Sequence, residues 1–236
     1  MDATDQLRQL ALSIGADLFG VADLSNYRDQ YGVSQRLLDR FPYAISIAVR
    51  LPDAVVDAIT REDPTSIYAH TYRVVNSMLD QIALRIANEC QRLGGRALPI
   101  PASQTVDLER NLGVISHKAV AVLAGLGWMG KSLLVINPNF GPRMRLATIL
   151  TDLKLEPNEP MKNRCGDCTK CIEACPAKAI KEVNFELFPP PREQILDVEA
   201  CAWRLYNIEA DPRYGSPVCG VCVKVCPVGS ASRRRS

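Results

Sequence analysis

The chain has 236 residues, 47% of them hydrophobic and 23% charged, with a formal net charge of +2. That length holds one full domain and a small second one, and the composition is ordinary for a soluble globular protein. So small a charge gives no basis for nucleic-acid or membrane binding as the main task, and the terminal Arg233-Arg234-Arg235 run reads as a solvated end.

In chain order, Leu7, Leu10, Ala11 and Ile14 recur at helical spacing, and Gly15 is placed to end that helix. Phe41 to Leu51 contains an apolar, β-branched run of strand length. From Tyr72 to Leu93, the residues Val75, Met78, Leu79, Ile82 and Ile86 share one helical face, and Gly94-Gly95 follows as a C-cap. His117 to Leu126 predicts another helix, and Leu133–Ile136 and Leu146–Thr151 predict buried strands. This first part is α/β or α+β, with a strand order that periodicity does not supply. The polar, proline-bearing stretch Leu155–Pro160 predicts a joint, giving domains over 1–156 and 157–236. A region as small as the second is marginal on a hydrophobic core alone and commonly needs metal cross-links.

No run approaches the ~18 consecutive apolar residues of a membrane span. The N-terminus is acidic at Asp2 and Asp5 where a secretory signal would be basic. The expected compartment is the cytoplasm, where thiols stay reduced and a cysteine-rich pattern means metal rather than disulfides. Of the nine cysteines, one is Cys90, read as a small buried hydrophobe, and the rest fall from Cys165 onward.

Those later cysteines form two related runs. The first is Cys165, Cys168 and Cys171 at two-residue gaps, then Cys175-Pro176. The second is Cys219, Cys222 and Cys226-Pro227, with Cys201 further upstream. Two-residue gaps let successive thiolates converge on one cubane, while the cysteine before proline serves the other cluster. The rule assigns Cys165, Cys168, Cys171 and Cys226 to cluster 1. Cluster 2 takes Cys175, Cys219 and Cys222, with Cys201 reaching in. Paired Cys-x-x-Cys motifs also hold zinc, but a three-cysteine run closed by Cys-Pro argues for [4Fe–4S] clusters.

Gly125-Leu126-Gly127-Trp128-Met129-Gly130-Lys131-Ser132 satisfies two phosphate-loop patterns at once. Both need a strand before the loop and a helix after it, and here the predicted order is reversed. The glycines then mean either a backbone that a ligand approaches closely or a purely structural tight turn.

The stretch Ala124–Lys131, the apolar run to Ile136, Phe140-Gly141, Thr148–Asp152 and the double cysteine pattern together resemble the epoxyqueuosine reductase family, related to the reductive dehalogenases. Tyr68-Ala69 and Tyr72 fit its pattern, and the resemblance runs from about residue 5 to Pro227. It implies a nitroreductase-like α/β core that binds cobalamin or another corrinoid, followed by a bacterial-ferredoxin-like domain with two [4Fe–4S] clusters. It implies an oxidoreductase in which an external low-potential donor, of ferredoxin or flavodoxin type, passes electrons through the clusters to a base-off corrinoid. The positions that match the corrinoid-binding pattern are Tyr68, Tyr72, Gly127, Trp128, Met129, Gly130, Lys131, Ser132, Phe140 and Gly141. Of the two histidines, His70 and His117, neither sits in the Asp-x-His-x-x-Gly motif that supplies a cobalt ligand.

This sequence departs from the family at the proton-donating aspartate, whose position, counted back from Ala124, is Asn111. The Glu-Arg that follows in the family is His117-Lys118 here. An amide hydrogen-bonds but does not act as a general acid near neutral pH. The chain also stops at Ser236, short of the helical-repeat region that helps such enzymes hold tRNA. The expected substrate is therefore a small molecule or a corrinoid protein rather than epoxyqueuosine-tRNA. A corrinoid-reactivating electron carrier and a minimal epoxyqueuosine reductase stand as alternatives. Tyr68, Tyr72, His117 and Lys118 are further polar candidates, each equally readable as packing or as a solvated face.

Overall fold

The structure is a computed structural model that describes residues 2–27 and 35–229; the terminal arginine run lies outside them. In order, the elements are α1 (Ala3–Ser13), β1 (Leu18–Asp23), α2 (Gln35–Leu38), β2 (Tyr43–Arg50), α3 (Asp53–Asp57), α4 (Ser66–Arg92) and β3 (Ala97–Ile100). There follow α5 (His117–Leu123), β4 (Trp128–Met129), β5 (Val135–Ile136) and β6 (Met144–Thr151). The C-terminal part holds α6 (Lys170–Ala174), α7 (Arg192–Ile195), α8 (Val198–Glu209) and α9 (Val221–Lys224).

These elements form two compact units, each woven from separate stretches of chain. The first takes residues 1–49, 76–126 and 145–161; the second takes 50–75, 127–144 and 162–236. In the first, a sheet runs in the order β1-β2-β6-β3, with β1 antiparallel to β2 and β3 antiparallel to β6. Strand β2 is buried from Ala44 to Val49 without alternation, so both of its faces are covered. This is why its sequence reads as an apolar run, interrupted only by Ser46, which is buried as well. Helix α1 starts on Asp2, whose carboxylate accepts from Asp5 N–H at 2.8 Å, and stops before Gly15 at φ +109°. Strand β1 carries Gly20 because a Cβ there would lie 2.1 Å from the Ala124 carbonyl.

The predicted long helix begins at Ser66 rather than Tyr72, so Tyr68 and Tyr72 lie inside α4 instead of before it. Its end at Gly94-Gly95 is as expected, with Gly94 left-handed at φ +89°. Helix α5 stops at Leu123, short of the expected Leu126, where the chain turns into Gly125 at φ +68°. The predicted strand Leu133–Ile136 shrinks to β5, because Leu133 itself is left-handed at φ +54°. Cys90 is fully buried, and burial pushes its thiol up to about 11. No helix among the described residues is long and apolar enough to cross a membrane.

Candidate metal centre and adjoining loop

The cysteines from Cys165 onward all belong to the second unit, and Cys90 to the first. The short helices α6 and α9 each carry one, Cys171 and Cys222. Around Cys171, burial first and then the thiols of Cys165, Cys226 and Cys168 push its pKa up to about 11. Around Cys222, burial and then Cys219, Cys201, Cys171 and Cys175 push it up to about 12. Thiols crowded this way disfavour one another's ionisation until a cation neutralises them, which is the demand that an iron–sulfur cluster meets. The thiols that act on Cys171 are thus Cys165, Cys226 and Cys168, and those that act on Cys222 are Cys219, Cys201, Cys171 and Cys175, with Cys171 felt in both sets. Among the described residues no three of them already stand as a metal-holding group. Cys201, one of the thiols acting on Cys222, stands on α8, whose N-terminus is capped by Asp197 accepting from Ala200 N–H at 2.9 Å.

Several neighbours hold these loops. Cys175 and Cys201 pack with Ala179, Ile180 and Leu196 in a small apolar cluster. The Ala179 N–H donates to Cys175 Sγ at 3.4 Å. Gly220, between Cys219 and Cys222, has φ +75°, and a Cβ there would meet Ile59 at 2.6 Å and the Tyr68 ring at 2.8 Å. The insertion between Cys201 and Cys219 is tied to the start of α4. Arg73 donates to Tyr214 O at 2.6 Å and to Ser216 Oγ at 2.8 Å, while Tyr214 O–H donates to Asp63 at 2.8 Å. A groove of about 890 Å³ lies beside this insertion, lined by Glu62, Pro176, Trp203, Arg204 and Tyr214 among others.

The glycine-rich loop folds as a hairpin of β4 and β5, pairing Trp128 with Ile136 and Met129 with Val135. A Cβ on Gly127 would lie 2.3 Å from the Ile136 carbonyl, so this glycine is required by the hairpin itself. Gly130 N–H donates to Leu134 O at 2.8 Å, and residues 131–134 make a turn rather than a helix. A phosphate-loop reading therefore has no helix N-terminus to use. Lys131 is 1% exposed, and neither its Nζ nor the indole Nε1 of buried Trp128 has a hydrogen-bond partner among the described residues.

This hairpin touches the first cysteine run. Asn163 donates from Nδ2 to Met129 O at 2.9 Å and accepts at Oδ1 from Cys165 N–H at 2.7 Å. The Arg164 guanidinium stands over the Trp128 ring at 5.5 Å. Further along, Phe140 lies under the Arg50 guanidinium at 5.0 Å. Gly141, at φ +62°, would put a Cβ 2.3 Å from the Val228 carbonyl, just past Cys226.

Residues 164–229 match the family described as the 4Fe-4S double cluster binding domain. An epoxyqueuosine reductase of Gloeobacter violaceus is 34% identical over 132 residues, covering 52% of this chain and 38% of that protein. A tetrachloroethene reductive dehalogenase of Desulfitobacterium hafniense is 31% identical over 198 residues, covering 74% of this chain and 33% of its own length. Among solved structures, the catabolic reductive dehalogenase NpRdhA, in complex with 3-bromo-4-hydroxybenzoic acid, superposes with a TM-score of 0.73 at 21% identity. It covers 97% of this chain and 32% of its own. The chain is a homologue of the epoxyqueuosine reductases and the reductive dehalogenases. It spans about a third of the length of each of these relatives, shares a mixed α/β fold with the solved dehalogenase, and itself carries the double-cluster domain over residues 164–229.

For this homologue of the epoxyqueuosine reductases, the residues drawn from the family pattern divide between the units. Tyr68, Tyr72, Gly127–Ser132, Phe140 and Gly141 all belong to the second unit, with the cysteines. Asn111, His117 and Lys118 belong to the first. Asn111 is exposed at φ +53°, in a turn closed by the Asp107–Leu112 bridge and by Asp107 accepting from Arg110. His117 Nε2 faces the Pro101 carbonyl at 2.9 Å, an acceptor only, so Nε2 carries the proton. Its Nδ1 then accepts from Thr148 Oγ1 at 2.8 Å. Burial holds the imidazole neutral, with its pKa pushed down to about 4. Both ring nitrogens are spent, so His117 is not available to a metal as placed.

Sequence reasoning missed Asn163, Arg164 and Arg204. The signal for the first two was their place directly before Cys165. Arg204 has no such signal, since its contacts lie far along the chain. It also missed Arg143, 2% exposed, whose guanidinium meets Asp53 at 3.0 Å and Asp57 at 2.6 Å, while Asp53 also pairs with Arg50 at 2.5 Å.

Proposed function

We propose that this protein is an iron–sulfur reductase that takes electrons from an external low-potential donor and delivers them through two [4Fe–4S] clusters to a corrinoid held at the Gly127–Ser132 hairpin. Its substrate is other than epoxyqueuosine in tRNA. The observation that carries the reading is Asn163, one side chain joining the hairpin at Met129 to the cluster loop at Cys165. The hairpin so placed presents two buried donors, Lys131 Nζ and Trp128 Nε1, that lack acceptors. Leaving such groups unpaired costs stability, and the balance improves when a ligand supplies acceptors. A corrinoid, with its ring of amide groups and its phosphate, fits that demand.

When bound, the corrinoid supplies a cobalt centre that accepts and donates electrons. The chain's own residues do the rest. The cysteines hold the clusters, Asn163 fixes the hairpin beside the first of them, and Lys131 and Trp128 bind and orient. His117, with both ring nitrogens engaged by Pro101 and Thr148, would not be offered to a cobalt centre as placed.

Asn111 favours a second reading, that of an electron carrier that reactivates a partner's cobalt centre. Its left-handed turn would accept aspartate as readily as asparagine, so the backbone does not explain the absence of an acid there. Reducing a metal needs no proton donor.

Anaerobic reconstitution with iron, sulfide and hydroxocobalamin, followed by EPR at set potentials, tests the reading. Two cluster signals and a corrinoid that stays bound through gel filtration are expected. Two clusters with no bound corrinoid would overturn it, and turnover of an epoxyqueuosine-bearing anticodon stem-loop would overturn the substrate clause. Transfer of electrons to a corrinoid protein with no small molecule consumed would favour the second reading.

A further inference from the structure

Arg204, on α8, donates from Nε to the Sγ of Cys219 at 3.4 Å, while its Nη2 donates to the Arg61 carbonyl at 2.6 Å. The second bond anchors the planar fork, so that its remaining edge is directed at the sulfur. The guanidinium stays charged at any working pH. Hydrogen bonds and net charge at the ligand sulfurs are what set an iron–sulfur cluster's reduction potential within its wide range. Reduction adds one electron, and so one negative charge, to the cluster and its thiolates. A fixed cation on a ligand sulfur favours the reduced form over the oxidised one.

We infer that Arg204 is a tuning residue for cluster 2, raising that cluster's midpoint potential through Cys219 without ligating iron. A second donor in the same group of cysteines, Ala179 N–H to Cys175 Sγ, acts in the same direction but carries no charge and cannot be removed by side-chain substitution. The inference rests on the cluster reading alone and is independent of whether a corrinoid binds.

The test is an EPR-monitored redox titration of the reconstituted full chain, poised with dithionite, comparing wild type with Arg204→Gln, Arg204→Lys and Arg204→Met. Cys219→Ser marks which signal belongs to cluster 2. The expected result is a more negative cluster 2 midpoint in Arg204→Gln and a larger shift in Arg204→Met. Arg204→Lys stays nearer wild type, and cluster 1 moves little in any of them. A merely structural role for Arg204 would reduce iron content without this ordering by charge. Should Arg204→Met fail to assemble cluster 2, Arg204→Gln, which keeps a donor amide, decides the matter. An unmoved cluster 2 midpoint in Arg204→Gln, or equal shifts in both clusters, would overturn the inference.

Discussion

Gly166 and Gly220 occupy equivalent places, each directly after the first cysteine of a Cys-x-x-Cys pair, and both are left-handed, at φ +51° and +75°. A Cβ on Gly166 would meet nothing within 4 Å, whereas on Gly220 it would press on Ile59 Cδ1 at 2.6 Å and Tyr68 Cε1 at 2.8 Å. Alanine at either site carries the cost of a left-handed backbone, about 1 kcal/mol. At Gly220 overpacking adds about 1–3 kcal/mol, because Ile59 and Tyr68 are themselves buried and have little room to retreat. The expected totals are about 1 kcal/mol for Gly166→Ala and about 2–4 kcal/mol for Gly220→Ala. Thermal denaturation of the anaerobically reconstituted protein reads the difference, at about 2–4 °C per kcal/mol for a chain of this size. Iron content reports whether the second cysteine loop still closes. Ile59→Val removes the clashing methyl and should cost less beside Gly220→Ala than alone, a coupling that a double-mutant cycle isolates. Equal losses in the two alanine variants, or no relief from Ile59→Val, would refute the packing argument.

Lys131→Met should stabilise the cofactor-free protein by about 1–3 kcal/mol, because it replaces a buried unpartnered donor with an apolar side chain of similar length. The same variant should bind hydroxocobalamin more weakly, and a destabilised Lys131→Met measured by urea denaturation would contradict the reading. His117 has its pKa lowered from 6.5 to about 4, so the unfolded chain binds the proton more readily. Its stabilising contribution is therefore full above pH 6.5 and is lost as the pH falls toward 4, by an amount on the order of 3 kcal/mol. Urea denaturation of wild type and His117→Gln across that window should show a shallower pH slope in the variant, and identical slopes would exclude the assignment. In the Arg143 network the cation is 2% exposed while Asp53 and Asp57 are 24% and 50% exposed. Replacing both carboxylates with amides strands a buried charge and should cost about 3–5 kcal/mol by urea denaturation. Arg143→Met should cost less, since the freed carboxylates can turn to water and Arg50 still pairs with Asp53; the opposite order would refute the burial argument.

The elements legible in the sequence were those whose burial imposes a period or a run. The face Val75, Leu79, Ile82, Ile86 announced α4, and the β-branched stretch announced β2. Strand β1 was hidden by Gly20, a residue that weakens a strand signal and is there only because the Ala124 carbonyl comes close. Strand β4 and the cysteine-bearing helices α6 and α9 are too short for any period to register. The cysteine grouping stays an expectation from spacing, because loop geometry decides which sulfurs can converge on one cluster. The polar contacts were not. Arg204 meets Arg61 and Cys219, and Arg143 meets Asp53 and Asp57, and such pairings leave no local mark in a chain. Lys131 is a candidate corrinoid-binding position in the sequence, and its full burial follows from the hairpin folding back at Gly130, which no composition rule foresees.

The second unit's construction bears on what the cysteine region can do by itself. Its cysteines come from the stretch after residue 162, but the groups that hold their loops come from two earlier stretches. Ile59 and Tyr68 abut Gly220, Arg61 anchors Arg204, and Asp63 and Arg73 fix the Tyr214–Ser216 segment. From the middle stretch, Met129 binds Asn163, and Gly141 lies against Val228. A fragment that begins at Lys162 would lose all of these, leaving the left-handed Gly220 and the charged Arg204 without their supports. The ferredoxin-like region thus draws the supports of its cysteine loops from earlier stretches of the same unit. Loss of a cluster should loosen the Trp128–Lys131 hairpin through Asn163, and a ligand that orders the hairpin should in turn hold Cys165 in place. Were a corrinoid to bind at the hairpin as proposed, its binding and cluster assembly would be coupled in free energy, each raising the affinity of the other by the same factor.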